Sequence, residues 1–191
     1  MTELIAIGGS AGAFDALLAL VPELPDELAI PIVLVLHQQP HQKSLVPELL
    51  APVTRRAVRE VEDKDPLTPN TIHVAPPNYH VLVERDRTLA LSVDEPVQFS
   101  RPSIDITFES AAVALGDRVL GVLLSGANDD GARGLHRIVE SGGLAIVQDP
   151  ATVPYSAMPR AALARIGAAA HVVSGSQLAT AIVAAARKAR S

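Results

Sequence analysis

The sequence predicts an α/β fold of three layers, in which helices cover both faces of a doubly wound, mostly parallel sheet. Short β-branched runs alternate with longer runs rich in Ala and Leu, which is typical of consecutive βαβ units. The apolar fraction is 48% and the aromatic fraction only 3%, so the core is aliphatic, as a sheet buried on both faces requires. A length of 191 residues without an internal repeat or a long linker predicts one domain over 1–191.

The first half of the chain alternates strand and helix signals. The apolar run 4–7 predicts a strand that leads into a glycine-rich turn, and the Ala/Leu-rich run 13–20 predicts a helix that the following prolines end. A second buried strand is predicted over 31–36, followed by a helix over 44–50 that also stops at a proline. The run 56–61 predicts a third strand.

The second half of the chain begins with a stretch of short apolar runs without helix signals, after which strand and helix signals alternate again. Over 72–93, three short runs separated by Pro-Pro-Asn and Glu-Arg-Asp-Arg predict an antiparallel hairpin or meander at one edge of the sheet. The alternation then continues to the end of the chain. Helices are predicted over 103–115, 130–141, 158–165 and 177–190, and strands over 118–124, 144–148 and 170–173.

Charge and composition exclude several classes of protein. A formal net charge of −5 and the scarcity of aromatic residues count against nucleic-acid binding. The absence of Cys excludes disulfides, thiolate metal sites and cysteine nucleophiles, and the six His residues lack metal-site spacing, so we expect no metal and no cofactor. The N-terminus does not resemble a signal peptide and no apolar run reaches about 18 residues, so we expect a cytoplasmic protein without direct membrane insertion.

A serine bracketed by glycines follows the first predicted strand, where residues 8–12 read Gly-Gly-Ser-Ala-Gly. A strand, a tight turn and a helix start are what a nucleophilic serine needs in order to project into open space. The alternatives are a helix cap and a phosphate-binding loop. A dinucleotide loop is disfavoured, because Ser10 replaces the middle glycine and His37 ends the second strand where an acidic residue would hold the ribose.

His37 and Asp130 complete a set of residue types used in hydrolysis. In a doubly wound sheet the carboxyl ends of the strands share one rim, and Ser10, His37 and Asp130 each follow a predicted strand. His37 would accept the Ser10 proton and Asp130 would orient the imidazole. The alternatives are a structural histidine and a helix-capping aspartate. Spacing alone leaves Asp129 and Asp130 equivalent.

With these motifs, the sequence resembles the catalytic domain of the CheB chemotaxis methylesterases from residue 5 to about 173. Typical members carry an N-terminal receiver domain, and the resemblance starts without one, so we expect a free-standing member or an excised catalytic domain. The segments that carry the resemblance are 5–12, 35–37, 72–80, 101–105, 124–132, 148–152 and 157–161.

The resemblance implies roles for individual residues. Ser10, His37 and Asp130 match the family's catalytic triad, with Asp129 at the variable position. Backbone N–H groups of Ala11 and Ala127 are expected to form the oxyanion hole, although Ala127 replaces the family's Met and the next residue, Asn, replaces a Gly. Three further residues in matching segments are expected to line the substrate cleft: Arg101, Tyr155 and Met158.

The implied activity is hydrolysis of glutamate γ-methyl esters on chemoreceptors with release of methanol. Deamidation of glutamine through the same acyl-enzyme is implied as well. The implied partners are the cytoplasmic helices of methylated chemoreceptors, and a separate receiver domain or another chemotaxis signalling protein. The alternatives are an esterase of the same fold acting on another substrate and a non-catalytic scaffold that binds a receptor.

Overall fold

The structure, a computed structural model, describes residues 1–40 and 42–188. The strands in these residues are β1 (Leu4–Gly9), β2 (Ile32–Leu36), β3 (Ala57–Glu60), β4 (Asp65–Pro66), β5 (Thr71–Val74), β6 (His80–Val83), β7 (Thr88–Ser92), β8 (Val119–Leu123), β9 (Leu144–Gln148) and β10 (Ala170–Val173). The α-helices are α1 (Ala13–Leu20), α2 (Val46–Leu50), α3 (Ile104–Leu115), α4 (Ala132–Glu140), α5 (Ala157–Ile166) and α6 (Leu178–Lys188). His41 and the predicted end of the last helix at 189–190 lie outside the described residues.

Seven strands form one parallel sheet in the order β10-β9-β8-β1-β2-β5-β3. The chain builds outward from β1 to β2 on one side, then returns to the other side with β8, β9 and β10. The order therefore reverses beside β1, and in such sheets ligands bind at the carboxyl ends of the strands near the reversal. The predicted doubly wound α/β fold is confirmed.

Helices cover both faces of the large sheet, because side chains on successive strand residues point to opposite faces. Ala6 of β1 lies in the cluster that contains Phe108 of α3, together with residues of α4 and α5. Ile7 lies in the other cluster, which contains Leu17 of α1 and Ile182 of α6. All five side chains are at most 1% exposed, so the sheet is the middle layer of three.

The stretch 72–93 is divided between two sheets. As predicted, β6 and β7 form an antiparallel hairpin, but they pair with β4 in a separate three-stranded sheet. The run Ile72–Val74 belongs to β5, which lies between β2 and β3 in the large sheet and is parallel to both, so its assignment to an antiparallel meander was wrong. The small sheet is held to α3, whose Thr107 hydroxyl donates to the Val81 carbonyl at 2.7 Å.

Close packing at Gly8 positions α3 over the end of β1. A Cβ at Gly8 would collide with the side chain of Ile104, the first residue of α3. The missing side chain therefore lets the N-terminus of this helix approach the turn that follows β1. Within residues 1–40 and 42–188, no helix combines the length and the apolar character needed to cross a bilayer.

Candidate active site

Ser10 and His37 follow neighbouring parallel strands at the same edge of the large sheet. Gly9 is the register partner of Leu36, and the His37 N–H donates to the Gly9 carbonyl at 3.3 Å. Continuing this register by one residue makes Ser10 the neighbour of His37. Both residues are partly exposed, so this rim is open to solvent and to a ligand.

Asp130 orients the His37 ring. It follows β8, which lies on the opposite side of β1 from the strand that ends before His37. The Nε2 atom lies 2.7 Å from Asp130 Oδ2, with 14% of the His37 side chain exposed and none of Asp130. A carboxylate only accepts hydrogen bonds, so Nε2 carries the proton and a neutral ring keeps Nδ1 free to accept one. Among the described residues no hydrogen bond joins Ser10 Oγ to the ring, and the atom within reach of Nδ1 is Ser100 Oγ at 3.5 Å. Catalytic contacts of this kind are often long in a free enzyme.

Asp130 is fixed by four donors that converge on its carboxylate. Besides His37, it accepts from the backbone N–H of Ile104 at 2.8 Å, from that of Asp105 at 3.0 Å and from the Ser103 hydroxyl at 2.9 Å. The N-terminus of α3 thus points at this carboxylate and favours its negative charge. Burial alone would raise the pKa of Asp130, but the bonds from His37 and the two backbone groups outweigh it and hold that pKa below its ordinary value.

Asp105 in turn accepts hydrogen bonds from the loop and helix that follow Asp130. Its Oδ1 accepts from the backbone N–H of Gly131 at 2.9 Å and of Gly134 at 2.7 Å, at the start of α4. Asp130 therefore caps α3, the helix that contains Asp105, and Asp105 caps α4, the helix that follows Asp130. Asp105 is 1% exposed, and burial raises its pKa, with the nearby charge of Asp130 adding to the increase and the Gly134 N–H opposing it.

Ser125 joins the turn at residues 10–12, which we call the serine turn, to the segment that contains Tyr155. Its carbonyl accepts from Ser10 N–H at 2.9 Å, and its hydroxyl lies 2.8 Å from the Ala11 carbonyl and 3.0 Å from the Tyr155 carbonyl. The turn itself is sharp because Gly12 adopts a left-handed backbone at φ 76°. In the part of the chain that the structure describes, neither Ala11 nor Ala127 donates its N–H to a protein acceptor, so both N–H groups are available to a ligand.

The three residues predicted to line a cleft occupy different positions. Arg101 lines an open cavity of about 200 Å³ beside His37, and its guanidinium donates to the carbonyls of Val93 and Asp94 at 2.7 and 3.0 Å. Tyr155 is 48% exposed and its ring lies beside Gly12. Met158 is fully buried beneath Gly126, so its side chain supports the loop from below.

Sequence reasoning did not anticipate several residues that hold the site together. The sequence assigned no role in the site to Ser100, Ser103 or Ser125, and it did not predict that Asp105 supports the loop that carries Asp130. The signal that could have indicated two of them is the run 101–105, in which a Ser begins the predicted helix and an Asp lies in its first turn, as in many helix N-termini. Asp129, the alternative carboxylate, is exposed, and the structure brings Asp130 to His37.

The fold and this rim define an α/β protein with the residue types of a serine hydrolase at the carboxyl edge of its sheet. A family model described as CheB methylesterase matches residues 5–182. The chain therefore belongs to the CheB methylesterase family, as its sequence predicted.

Relatives agree with this assignment, and a solved structure has the same fold. A putative protein-glutamate methylesterase/protein-glutamine glutaminase of Leptospira interrogans is 45% identical over 161 residues, which cover 84% of this chain and 83% of the relative. The protein-glutamate methylesterase/protein-glutamine glutaminase of Symbiobacterium thermophilum is 35% identical over 180 residues, which cover 94% of this chain but 49% of the relative. The crystal structure of the Thermotoga maritima CheB methylesterase catalytic domain has the same fold, with a TM-score of 0.90 at 24% identity over 96% of this chain and 98% of that one.

Proposed function

We propose that this chain is a serine hydrolase that cleaves γ-methyl esters of glutamate side chains on chemoreceptors and releases methanol. The family membership and the names of the relatives support the reaction. The observation that carries the catalytic assignment is the 2.7 Å contact between His37 Nε2 and a buried Asp130, one strand away from Ser10. This contact leaves Nδ1 as the basic atom on the side of the open rim.

The first half of the reaction forms an acyl-enzyme. Ser10 Oγ attacks the ester carbonyl carbon while its proton passes to His37 Nδ1, and Asp130 stabilises the resulting imidazolium. The N–H groups of Ala11 and Ala127 donate to the negative oxygen of the tetrahedral intermediate. When the carbon–oxygen bond to the methoxy group breaks, His37 returns the proton to that oxygen and methanol leaves.

The second half restores the enzyme. Water attacks the acyl carbon, His37 Nδ1 takes a proton from the water, and the bond to Ser10 Oγ breaks as the serine recovers its proton. The product is a glutamate carboxylate. A glutamine side chain would follow the same route with ammonia as the leaving group, which accords with the glutaminase activity named for the relatives.

The partners follow from the same proposal. The substrate is a methylated cytoplasmic helix of a chemoreceptor, which approaches the cleft beside Arg101 and Tyr155 while Met158 supports the loop below. A separate receiver domain or another chemotaxis protein would regulate access to the rim. The cytoplasmic location expected from the sequence remains a prediction.

The decisive experiment compares Ser10→Ala with Ser141→Ala, a matched change at a partly exposed serine between α4 and β9, at the opposite edge of the large sheet. Methanol release from methylated receptors should fall by a factor on the order of 10⁶ in Ser10→Ala and stay within about twofold in the control. A fluorophosphonate should label the parent protein at Ser10. A parent protein that is not labelled is a non-catalytic scaffold, and one that hydrolyses nitrophenyl esters but releases no methanol from receptors acts on another substrate. Either result rejects the proposal.

A further inference from the structure

Aromatic side chains are rare in this chain and are unusually exposed near the rim. The sequence contains three Phe, two Tyr and no Trp. Tyr155, at 48% exposure, lies against Gly12 of the serine turn, and Tyr79, at 40%, follows Asn78, which lines the cavity beside His37. Phe99 lines that cavity as well and is 104% exposed, which is as much as a side chain can be.

The backbone at Phe99 is as unusual as its exposure. Gln98 and Phe99 have φ angles of 49° and 62°, in the left-handed region that favours glycine. They form the tip of a two-residue turn, closed by the bonds from Val97 N–H to the Ser100 carbonyl at 3.1 Å and from Ser100 N–H to the Val97 carbonyl at 2.9 Å. A bulky residue in this conformation costs free energy that no packing of its ring offsets, and such positions concentrate at functional sites.

The turn is held in place relative to the catalytic residues. At its base, the Arg101 guanidinium donates to the carbonyls of Val93 and Asp94. Ser100, the last residue of the turn, lies 3.5 Å from His37 Nδ1. The Phe99 ring is therefore presented at the mouth of the cavity by a short, closed turn whose last residue, Ser100, reaches His37 Nδ1.

We propose that Phe99 anchors the substrate protein by packing against the apolar face of the helix that carries the esterified glutamate. This inference rests on the proposed function and adds a residue that recognises the protein around the ester. A methyl ester by itself offers too little surface to cover an aromatic ring at the edge of the rim, whereas a helix presents apolar side chains one turn on either side of the reacting residue. Exposed aromatics are the usual anchors of protein interfaces.

The test uses Phe99→Gly, because glycine accepts the left-handed backbone that Phe99 adopts. The variant should melt at the same temperature as the parent or higher, yet kcat/KM for methylated receptor should fall at least about tenfold, mainly through KM. Labelling of Ser10 by a small fluorophosphonate should proceed within about twofold of the parent rate, since this reagent makes no contact with the receptor surface. Phe99→Tyr should recover most of the loss.

Val113→Ala is the matched control, since Val113 is an apolar residue of α3 that is 56% exposed and outside the cavity. It should leave kcat/KM for the receptor unchanged. The proposal is overturned if Phe99→Gly retains kcat/KM within about twofold, or if labelling falls as much as kcat/KM, which would indicate distortion of the site. Failure of the parent protein to release methanol from receptors would reject the proposed function instead, and this inference with it.

Discussion

The Asp130→Asn variant replaces one carboxylate oxygen by NH₂ at a position where all four neighbours donate hydrogen bonds. Each carboxylate oxygen of Asp130 accepts two of these bonds, so the one oxygen of Asn can accept only the bonds on its own side. On the other side the NH₂ faces a backbone N–H, that of Ile104 or that of Asp105, and leaves it without an acceptor. The Ser103 hydroxyl can rotate to accept, and a neutral His37 ring can accept at Nε2 by moving its proton to Nδ1, but the two backbone groups cannot accept.

The expected loss of stability follows from these contacts. A buried donor without a partner costs about 1–3 kcal/mol, and a hydrogen bond to a charged acceptor contributes about 1.5–3 kcal/mol. We therefore expect Asp130→Asn to lower the free energy of unfolding by about 2.5–6 kcal/mol. For a chain of this size, 3 kcal/mol corresponds to a decrease in Tm of roughly 6–12 °C. The tautomer with its proton on Nδ1 cannot accept the Ser10 proton, so kcat should also fall by a factor on the order of 10⁴.

Thermal melts and methanol release measure the two effects on the same preparation. Asp129→Asn is the matched control, because Asp129 is exposed and adjacent in the chain. It should change the free energy of unfolding by less than about 0.5 kcal/mol and leave turnover within about twofold. If Asp129→Asn loses turnover while Asp130→Asn keeps it, the acid of the triad is misassigned. If Asp130→Asn melts with the parent protein, the four donors do not contribute as the geometry indicates.

Two further predictions concern buried groups and pH. The pKa of Asp105 is raised by burial, so its contribution to stability is present below its unfolded pKa of about 3.9 and is lost as pH rises through the folded value. In urea unfolding, Asp105→Asn should have at least the free energy of unfolding of the parent at pH 7, and the difference should shrink towards pH 4. A parent that is more stable by over about 1 kcal/mol at pH 7 contradicts this expectation. Burial, aided by the Arg59 charge, lowers the pKa of His73 to about 4, so stability is lost as pH falls from about 6.5 towards 4. His73→Gln, which can still accept from Thr68 N–H, should flatten that decline, and an unchanged slope would show that other groups cause it.

Much of the fold was predictable from local sequence pattern, because buried parallel strands and amphipathic helices have distinct patterns of apolar residues. Helix 13–20 and strands 144–148 and 170–173 were predicted with the bounds that the structure has. The run Ile72–Val74 was misplaced, since its apolar character indicates burial without indicating which strand lies alongside. The two-residue strand Asp65–Pro66 carries no periodic signal at all.

The site was predictable to the level of residue type and rim. Strand ends in a doubly wound sheet converge, so the pattern alone predicted that Ser10 and His37 lie on the same rim. The choice between Asp129 and Asp130 did not, because both precede the same helix and the difference lies in which carboxylate meets the N-terminus of α3, far away in sequence. The same holds for Ser125, whose hydroxyl bonds depend on carbonyl groups supplied by Ala11 and by Tyr155.

That hydroxyl has a consequence for how the chain acquires activity. The serine turn is complete as sequence within the first 12 residues, yet one of its carbonyl groups is tied to Ser125, which is tied in turn to the backbone of Tyr155. A nascent or refolding chain therefore possesses its nucleophile long before that nucleophile is held in place. Hydrolysis should emerge among the last properties regained on refolding, after the sheet has formed and once the segment around Tyr155 has docked.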